Sequence, residues 1–304
     1  MLLFFGKIER IMDFLTEKLD FFNWVFLKID MHQIPSNSEK SQHGKNEKSD
    51  EMGGGQSSKR FKGRLEEEKR KMNKPFPLWT IILIPLYVVG IFSVILFPVA
   101  QDWTWLEGWT LIIIIAINLG VGNYFINKYN PSVLRNRMKM KKEGITKKTK
   151  KPAQSDWFIF PMLFLGFIGA LIVPAIDYRY NWSTIPLVWK LVGFFFLNLG
   201  TMMMELAMLQ NAYASKVLDV RSGQELIKTG LYGHVRHPLY TGSIIMVLGM
   251  PIALGSLYGL LPAIVGAYSL IFRIRFEEQM LLKGMQDYKD YQKEVKYKLL
   301  PHIY

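Results

Sequence analysis

Six blocks of the 304-residue chain are apolar over lengths that exceed ordinary core elements, and they limit what it can fold into more than any other feature. They run over residues 78–99, 109–125, 158–176, 187–209, 240–254 and 258–274. At ~1.5 Å per residue each of the first four crosses a ~30 Å hydrocarbon layer, while the last two fall near the short limit. Gly255 and Ser256 separate that short pair, with Pro251 and Pro262 close by, so it is expected to form a tight helical hairpin. The expected fold is all-α: a polytopic bundle of five or six transmembrane helices ending in the hairpin.

Half of the residues are apolar, yet the formal net charge is +13, so apolar and basic residues must be segregated along the chain. A basic excess suits nucleic acid or an anionic membrane surface. Here the bases flank apolar spans, which points to the membrane and away from nucleic acid. The chain has no cysteine, which excludes disulfides, thiolate zinc sites, cysteine nucleophiles and S-palmitoylation. No metal is expected.

Residues 1–34 place Phe4, Ile8, Ile11, Leu15, Leu19, Phe22, Phe26 and Ile29 at spacings of three and four among charges, the pattern of an amphipathic interfacial helix. Residues 35–74 begin with a polar run from Pro35 to Ser58 and continue into a charged stretch, and are expected to be a disordered and charged linker. Residues 75–304 form the membrane domain. The connection 127–156 holds ten Lys and Arg against Glu143 and Asp156, whereas 101–107 holds Asp102 and Glu107 and no base. The positive-inside rule then puts the former, and both termini, in the cytosol. Trp103, Trp105, Trp109, Tyr178, Tyr180 and Trp182 gather at the opposite ends of the spans, as interfacial aromatics do.

With this topology His234, Arg236, His237, Arg273, Glu277, Glu278, Tyr288 and Tyr291 all lie on the cytosolic face, in two segments that the hairpin brings together. Pro238 suits the first turn of a helix, which should begin there. Arg236 and His237 beside that helix start would favour an anion such as an amino-acid carboxylate. Arg273 and Glu277, four apart, share a helix face and either pair or point into a common site. Arg273 lies where the span is still apolar, and a charge there calls for a partner or a polar cavity. Glu205, in the inner half of the fourth block, raises the same question. Tyr288, Tyr291 and Val295 form a stripe at helical spacing, expected to pack. No dinucleotide or nucleotide loop, serine elbow or HExxH zinc motif occurs, so a soluble cofactor domain has no support.

The run from Gly230 through Leu231, Tyr232, Val235, Arg236, His237, Pro238, Leu239 and Tyr240 to Gly242, followed by Arg273, Glu277, Glu278 and Leu281, then Tyr288, Tyr291, Val295 and Pro301, resembles the isoprenylcysteine carboxyl methyltransferase and phospholipid methyltransferase superfamily. The resemblance covers about the last eighty residues. Where many members have His this chain has Gln224, and where they have Pro it has Leu231. The resemblance implies an S-adenosylmethionine pocket made from cytosolic connections, with Gln224, Glu225, Leu226, Ile227, Gly230, Tyr232, His237, Pro238, Leu239, Tyr240 and Glu277 around the cofactor. It implies Arg273 facing the methyl acceptor; Arg236 and Glu278 are the further catalytic candidates that the residues themselves offer.

The implied activity is methyl transfer to a membrane lipid or lipidated substrate. A carboxylate acceptor, as on an isoprenylcysteine, is already ionised and needs no general base; Arg273 would orient it. A phospholipid amine must first lose a proton, making Glu278 or Glu205 a candidate base. Two other readings are an NADPH-dependent membrane lipid reductase, whose C-terminal pattern is similar, and a non-enzymatic membrane scaffold with lipid-binding basic loops.

Overall fold

The computed structural model describes residues 63, 67, 70, 71, 73–135, 156–211, 226–301 and 303. All of these belong to the unit Ser57–Tyr304. The expected interfacial helix, the polar linker, most of the basic connection, and Gln224 and Glu225 lie outside the described residues.

Where no water is at hand, a spanning segment must pair its backbone groups within itself, so long apolar runs become helices. Here they give α1 (Leu78–Ala100), α2 (Leu106–Tyr129), α3 (Asp156–Tyr180) and α4 (Leu187–Gln210). A 3₁₀ turn (Gly230–Gly233) leads into α5 (Pro238–Ala253), α6 (Leu260–Gly284) and the short α7 (Tyr288–Glu294). Pro238 occupies the first turn of α5, as the sequence indicated. The hairpin turn follows at Leu254 and Gly255, with Gly255 at φ +82°, a left-handed conformation that favours glycine.

Among the described residues, four helices, α1 to α4, are long and apolar enough to cross a membrane. This refines the expected five or six spans. The hairpin's first arm, α5, has 16 residues, and its second, α6, has 25 but carries Arg273, Arg275, Glu277, Glu278 and Lys283 in its second half. The apolar part of α6 ends where its charges begin, and the helix continues beyond it as expected. The outward faces are apolar: Leu83 and Leu86 on α1, Leu191 and Phe195 on α4, and Leu261, Ile264, Tyr268 and Phe272 on α6 are all exposed. A surface this apolar is built for lipid. The protein is a multi-pass integral membrane protein.

The most extensive interfaces join α4 to α5 and α3 to α6. Glycine makes the first possible. A Cβ on Gly200 would stand 2.5 Å from the Gly242 carbonyl oxygen, and one on Gly193 would strike the backbone at Ala253. In the second, Gly166 and Gly266 meet backbone to backbone. Small residues permit this approach, and in lipid it supplies the packing that holds helices together. Between α2 and α4 the Asn118 amide donates to Asn198 Oδ1 (3.0 Å) and Thr201 Oγ1 (2.8 Å).

The loop end of the bundle is tied by carboxylates. Buried Asp177 accepts hydrogen bonds from Ser183 N and Oγ, both at 2.6 Å, and from Ser256 Oγ at 2.5 Å, joining the α3–α4 loop to the hairpin tip. Asp102 accepts from Tyr178 (2.6 Å) and from Thr104 N (2.7 Å), and Lys190 pairs with Glu107 at 2.7 Å.

Candidate active site

At the opposite end, the polar residues of the C-terminal third converge in three linked groups. The first is a strap. After α7 the chain runs extended, and its carbonyls receive the segment before α5: Arg236 N donates to Tyr297 O (3.0 Å) and His237 N to Lys298 O (2.9 Å). Thr241 Oγ1 donates to Leu299 O at 2.8 Å. Main-chain pairing over the start of α5 thus fixes where the helix begins and where His237 and Tyr240 stand.

The second group centres on Glu278. Arg236 Nε donates to its Oε1 at 2.7 Å, His237 Nε2 lies 3.4 Å from the same oxygen, and Lys298 Nζ is 3.3 Å from Oε2. Arg236 Nη1 also donates to Val295 O (2.6 Å) and Lys296 O (2.9 Å). Burial would raise the Glu278 carboxyl, but hydrogen bonds from His237 and Arg236, with the adjoining positive charge, more than reverse this and hold it at about 2. Arg236 is therefore directed into the protein, where it joins α6 to the strap.

In the third group, Tyr240 on α5 donates its phenol proton to Glu277 Oε2 at 2.5 Å and accepts from Arg273 Nε at 3.0 Å. Arg273 and Glu277, read from the sequence as partners on one helix face, thus meet on a hydroxyl from the other arm of the hairpin. Arg273 is only 4% exposed, and its guanidinium lies 4.7 Å above the Phe160 ring of α3, a cation–π contact that offsets part of the cost of placing a charge there. The His237 ring stacks on Tyr240, with centroids 5.7 Å apart.

The 3₁₀ turn forms the remaining wall. Gly230 has φ +61°, and the Gln210 side chain occupies the space a Cβ would need, 2.5 Å away, where it accepts Leu231 N at 2.9 Å. Tyr291 OH donates to Tyr232 O at 2.6 Å. Tyr288, Tyr291 and Val295 pack together with Leu226, Leu281 and Met285, the packing role expected of that stripe. Burial pushes the Tyr288 and Tyr291 phenols well above their ordinary range, so both stay protonated; Tyr291 donates to Tyr232 O, while the buried Tyr288 hydroxyl has no partner among the described residues.

The structure thus brings Tyr232, Arg236, His237, Pro238 and Tyr240 to Arg273, Glu277 and Glu278. Leu226 reaches the group through the α6–α7 packing; Ile227 and Leu239 are half-buried beside it. Glu205 stands apart: its carboxylate is buried in the notch left by Gly122 on α2, with no hydrogen-bond partner among the described residues. Gln210, Phe160, Thr241 and Lys298 were not singled out from the sequence. Gln210 and Phe160 come from segments with no motif of their own, Thr241 and Lys298 act largely through main-chain carbonyls, and only Gly230 hinted that something must approach its backbone.

The chain is thus a helical membrane bundle that gathers ionised and phenolic side chains at one end of a glycine-packed hairpin. Residues 188–287, about a third of the chain, match the family model described as phospholipid methyltransferase. The Delta(14)-sterol reductase of Mus musculus is 32% identical over 93 residues, a stretch that covers 29% of this chain and 22% of the reductase. The chain therefore spans under a quarter of that relative. A solved structure of the eukaryotic intramembrane Ras methyltransferase, isoprenylcysteine carboxyl methyltransferase, is similar with a TM-score of 0.36 and 18% identity, over 75% of this chain and 87% of that one.

Proposed function

We propose that this protein transfers a methyl group from S-adenosylmethionine to an acceptor carried by a membrane lipid or lipidated molecule, at the cytosolic end of the α5–α6 hairpin. The observation that carries this reading is the Arg273–Tyr240–Glu277 relay inside the segment that matches the methyltransferase family. The residues suit the cofactor's chemistry. Glu277 gives one carboxylate oxygen to Tyr240 and keeps the other for a hydroxyl or ammonium group. S-adenosylmethionine supplies an electrophilic methyl group on a sulfonium.

The chain's own residues have separable tasks. Glu277, Tyr240, His237, Tyr232 and the Leu226–Gly230 stretch hold the cofactor, with Gln224 and Glu225 as further members by motif. Arg273 meets the acceptor. Arg236 and Glu278 position the segment through the strap. The favoured acceptor is a carboxylate like that of an isoprenylcysteine: it is a nucleophile without proton removal, and Arg273 is the cation to align it. Glu278, held near 2 by its cationic neighbours, would be a weak base, and Glu205 faces α2. The second reading, N-methylation of a phospholipid amine, is favoured by the description of the matching family.

Calorimetry with S-adenosylmethionine and with NADPH on the detergent-purified protein separates methyltransferase from reductase, and binding of neither would leave a scaffold. Glu277→Gln should abolish cofactor binding with folded yield retained. Assays with a prenylcysteine analogue and with phosphatidylethanolamine then choose the acceptor. On the carboxylate reading, Arg273→Lys keeps the charge but loses the planar two-point contact, so turnover falls at near-normal cofactor affinity. Methylated phosphatidylethanolamine, unaffected by Arg273→Lys and with no ester on the analogue, would establish the amine reading instead.

A further inference from the structure

A cavity of about 290 Å³ lies between α5, α6 and the strap, lined by Thr241, Ile244 and Ile245, by Ile271, and by Leu299 and Leu300. Its walls present only apolar atoms to the space. The Thr241 hydroxyl is turned away, donating to Leu299 O and His237 O. At ~30 Å³ per water there is room for several, but water requires polar partners and these walls have none. An apolar occupant fits.

The surroundings indicate what kind. Ile271 adjoins Phe272, one of the exposed residues on the lipid-facing side of α6, so the cavity borders the hydrocarbon layer. At its polar edge the sign of charge changes abruptly. Arg275, one turn of α6 beyond Ile271, is exposed, Lys298 directly precedes Leu299 and is half-buried, and Lys296 is exposed two residues earlier. Of the two carboxylates at this level, Glu278 is buried among Arg236, His237 and Lys298, and Glu277 is held by Tyr240, so the exposed side chains at the rim are basic.

We propose that this cleft holds one hydrocarbon chain of an anionic membrane phospholipid, whose phosphate is met by Arg275 and Lys298 at the rim. The site is separate from the Arg273–Tyr240–Glu277 relay, and the proposal holds whether or not methyl transfer is the activity. Its roof is the strap that pairs with Arg236, His237 and Thr241, so a chain beneath Leu299 and Leu300 would brace the segment positioning Tyr240.

The test uses the full-length protein in lipid nanodiscs doped with phosphatidylglycerol carrying a diazirine near the end of one chain, followed by peptide mapping after illumination. Label should concentrate on the peptides bearing Ile244, Ile245, Leu299 and Leu300, above the level on the exposed α1 residues Leu83 and Leu86, which report ordinary lipid contact. Ile245→Trp fills the cleft and should reduce that excess to the α1 level. Leu300→Asp, at an already exposed position, should do the same and needs no repacking of the core. The phosphatidylcholine analogue should label more weakly. Arg275→Gln should reduce the phosphatidylglycerol preference by about fivefold, the equivalent of ~1 kcal/mol for one basic side chain. Labelling even over α1 and the cleft, or an excess untouched by both Ile245→Trp and Leu300→Asp, would overturn the chain site. Equal labelling by the two headgroups would overturn the anionic lipid.

Discussion

The two ends of the bundle hold their charges in opposite ways. At the loop end, Asp177 and Asp102 accept hydrogen bonds from neutral hydroxyl and backbone donors, and the ion pair of Lys190 with Glu107 stays partly in water. At the site end, carboxylates face cations inside the protein, with the Arg236 and Glu278 side chains 6% and 9% exposed. Neutral donors close a loop at small cost in desolvation. Buried ion pairs are poor sources of net stability but fix geometry, because loss of either partner strands the other. The loop end is built to stay shut and the site end to hold particular groups at particular distances.

The contrast is broken most directly at Glu278. Glu278→Ala leaves Arg236 buried without its carboxylate and should destabilise the fold by about 3–5 kcal/mol, whereas Arg236→Met together with Glu278→Leu should recover much of that loss. Thermal unfolding in detergent reads both. The same carboxylate sets an acid limit. A group whose folded pKa lies below its unfolded value contributes stability that is complete above the unfolded value and drains away as pH falls towards the folded one. For Glu278 the window runs from 4.5 down to about 2. Wild type should lose stability across it, and Glu278→Gln should flatten that part of the profile; an unchanged profile would place the acid sensitivity elsewhere.

The loop end predicts a smaller effect. Asp177→Ala leaves Ser183 and Ser256 without their acceptor and should cost about 1–3 kcal/mol, the range for a buried polar group that loses its partner. It should leave cofactor affinity unchanged, since those contacts are confined to the far end of α3 and the hairpin tip. A cofactor affinity that falls with Asp177→Ala would mean that the hairpin transmits strain along its length and that the ends are not independent.

How much of this was legible in the sequence follows the same division. The helices were legible because lipid imposes length and apolarity on each, and the start of α5 because Pro238 has one natural place. Arg236, Arg273, Glu277 and Glu278 stood out because ionised groups in order around an apolar hairpin must meet at one end, whereas Tyr240 entered only through the family resemblance. Their partners did not. That Arg273 and Glu277 meet on Tyr240, and that Arg236 faces Glu278 and not the solvent, depends on the rotation of α5 against α6. That rotation is set by glycine contacts such as Gly200 on Gly242, which no charge pattern encodes. The strap was equally hidden, because its hydrogen bonds come from backbone carbonyls that any residue carries. Among the described residues four helices have the length and apolarity of a full span, and the hairpin arms fall short of that because α5 has 16 residues and α6 becomes polar halfway along.

The smallest effect is expected at Lys190 and Glu107, and it is the sharpest check on the contrast because the distance alone suggests otherwise. Their atoms are 2.7 Å apart, the same separation as Arg236 and Glu278, and by geometry the two pairs are equals. Exposure separates them: the Lys190 and Glu107 side chains keep 24% and 25% of their surface. Water screens such a pair and solvates whichever partner remains, so a double-mutant cycle of Lys190→Met and Glu107→Gln should give a coupling of about 0.2–1 kcal/mol that shrinks further in high salt. The corresponding cycle on Arg236 and Glu278 should give several times more and resist salt. Equal couplings at the two ends would mean that both pairs experience the same effective dielectric, and the distinction between a solvated closure and a desolvated site would fail.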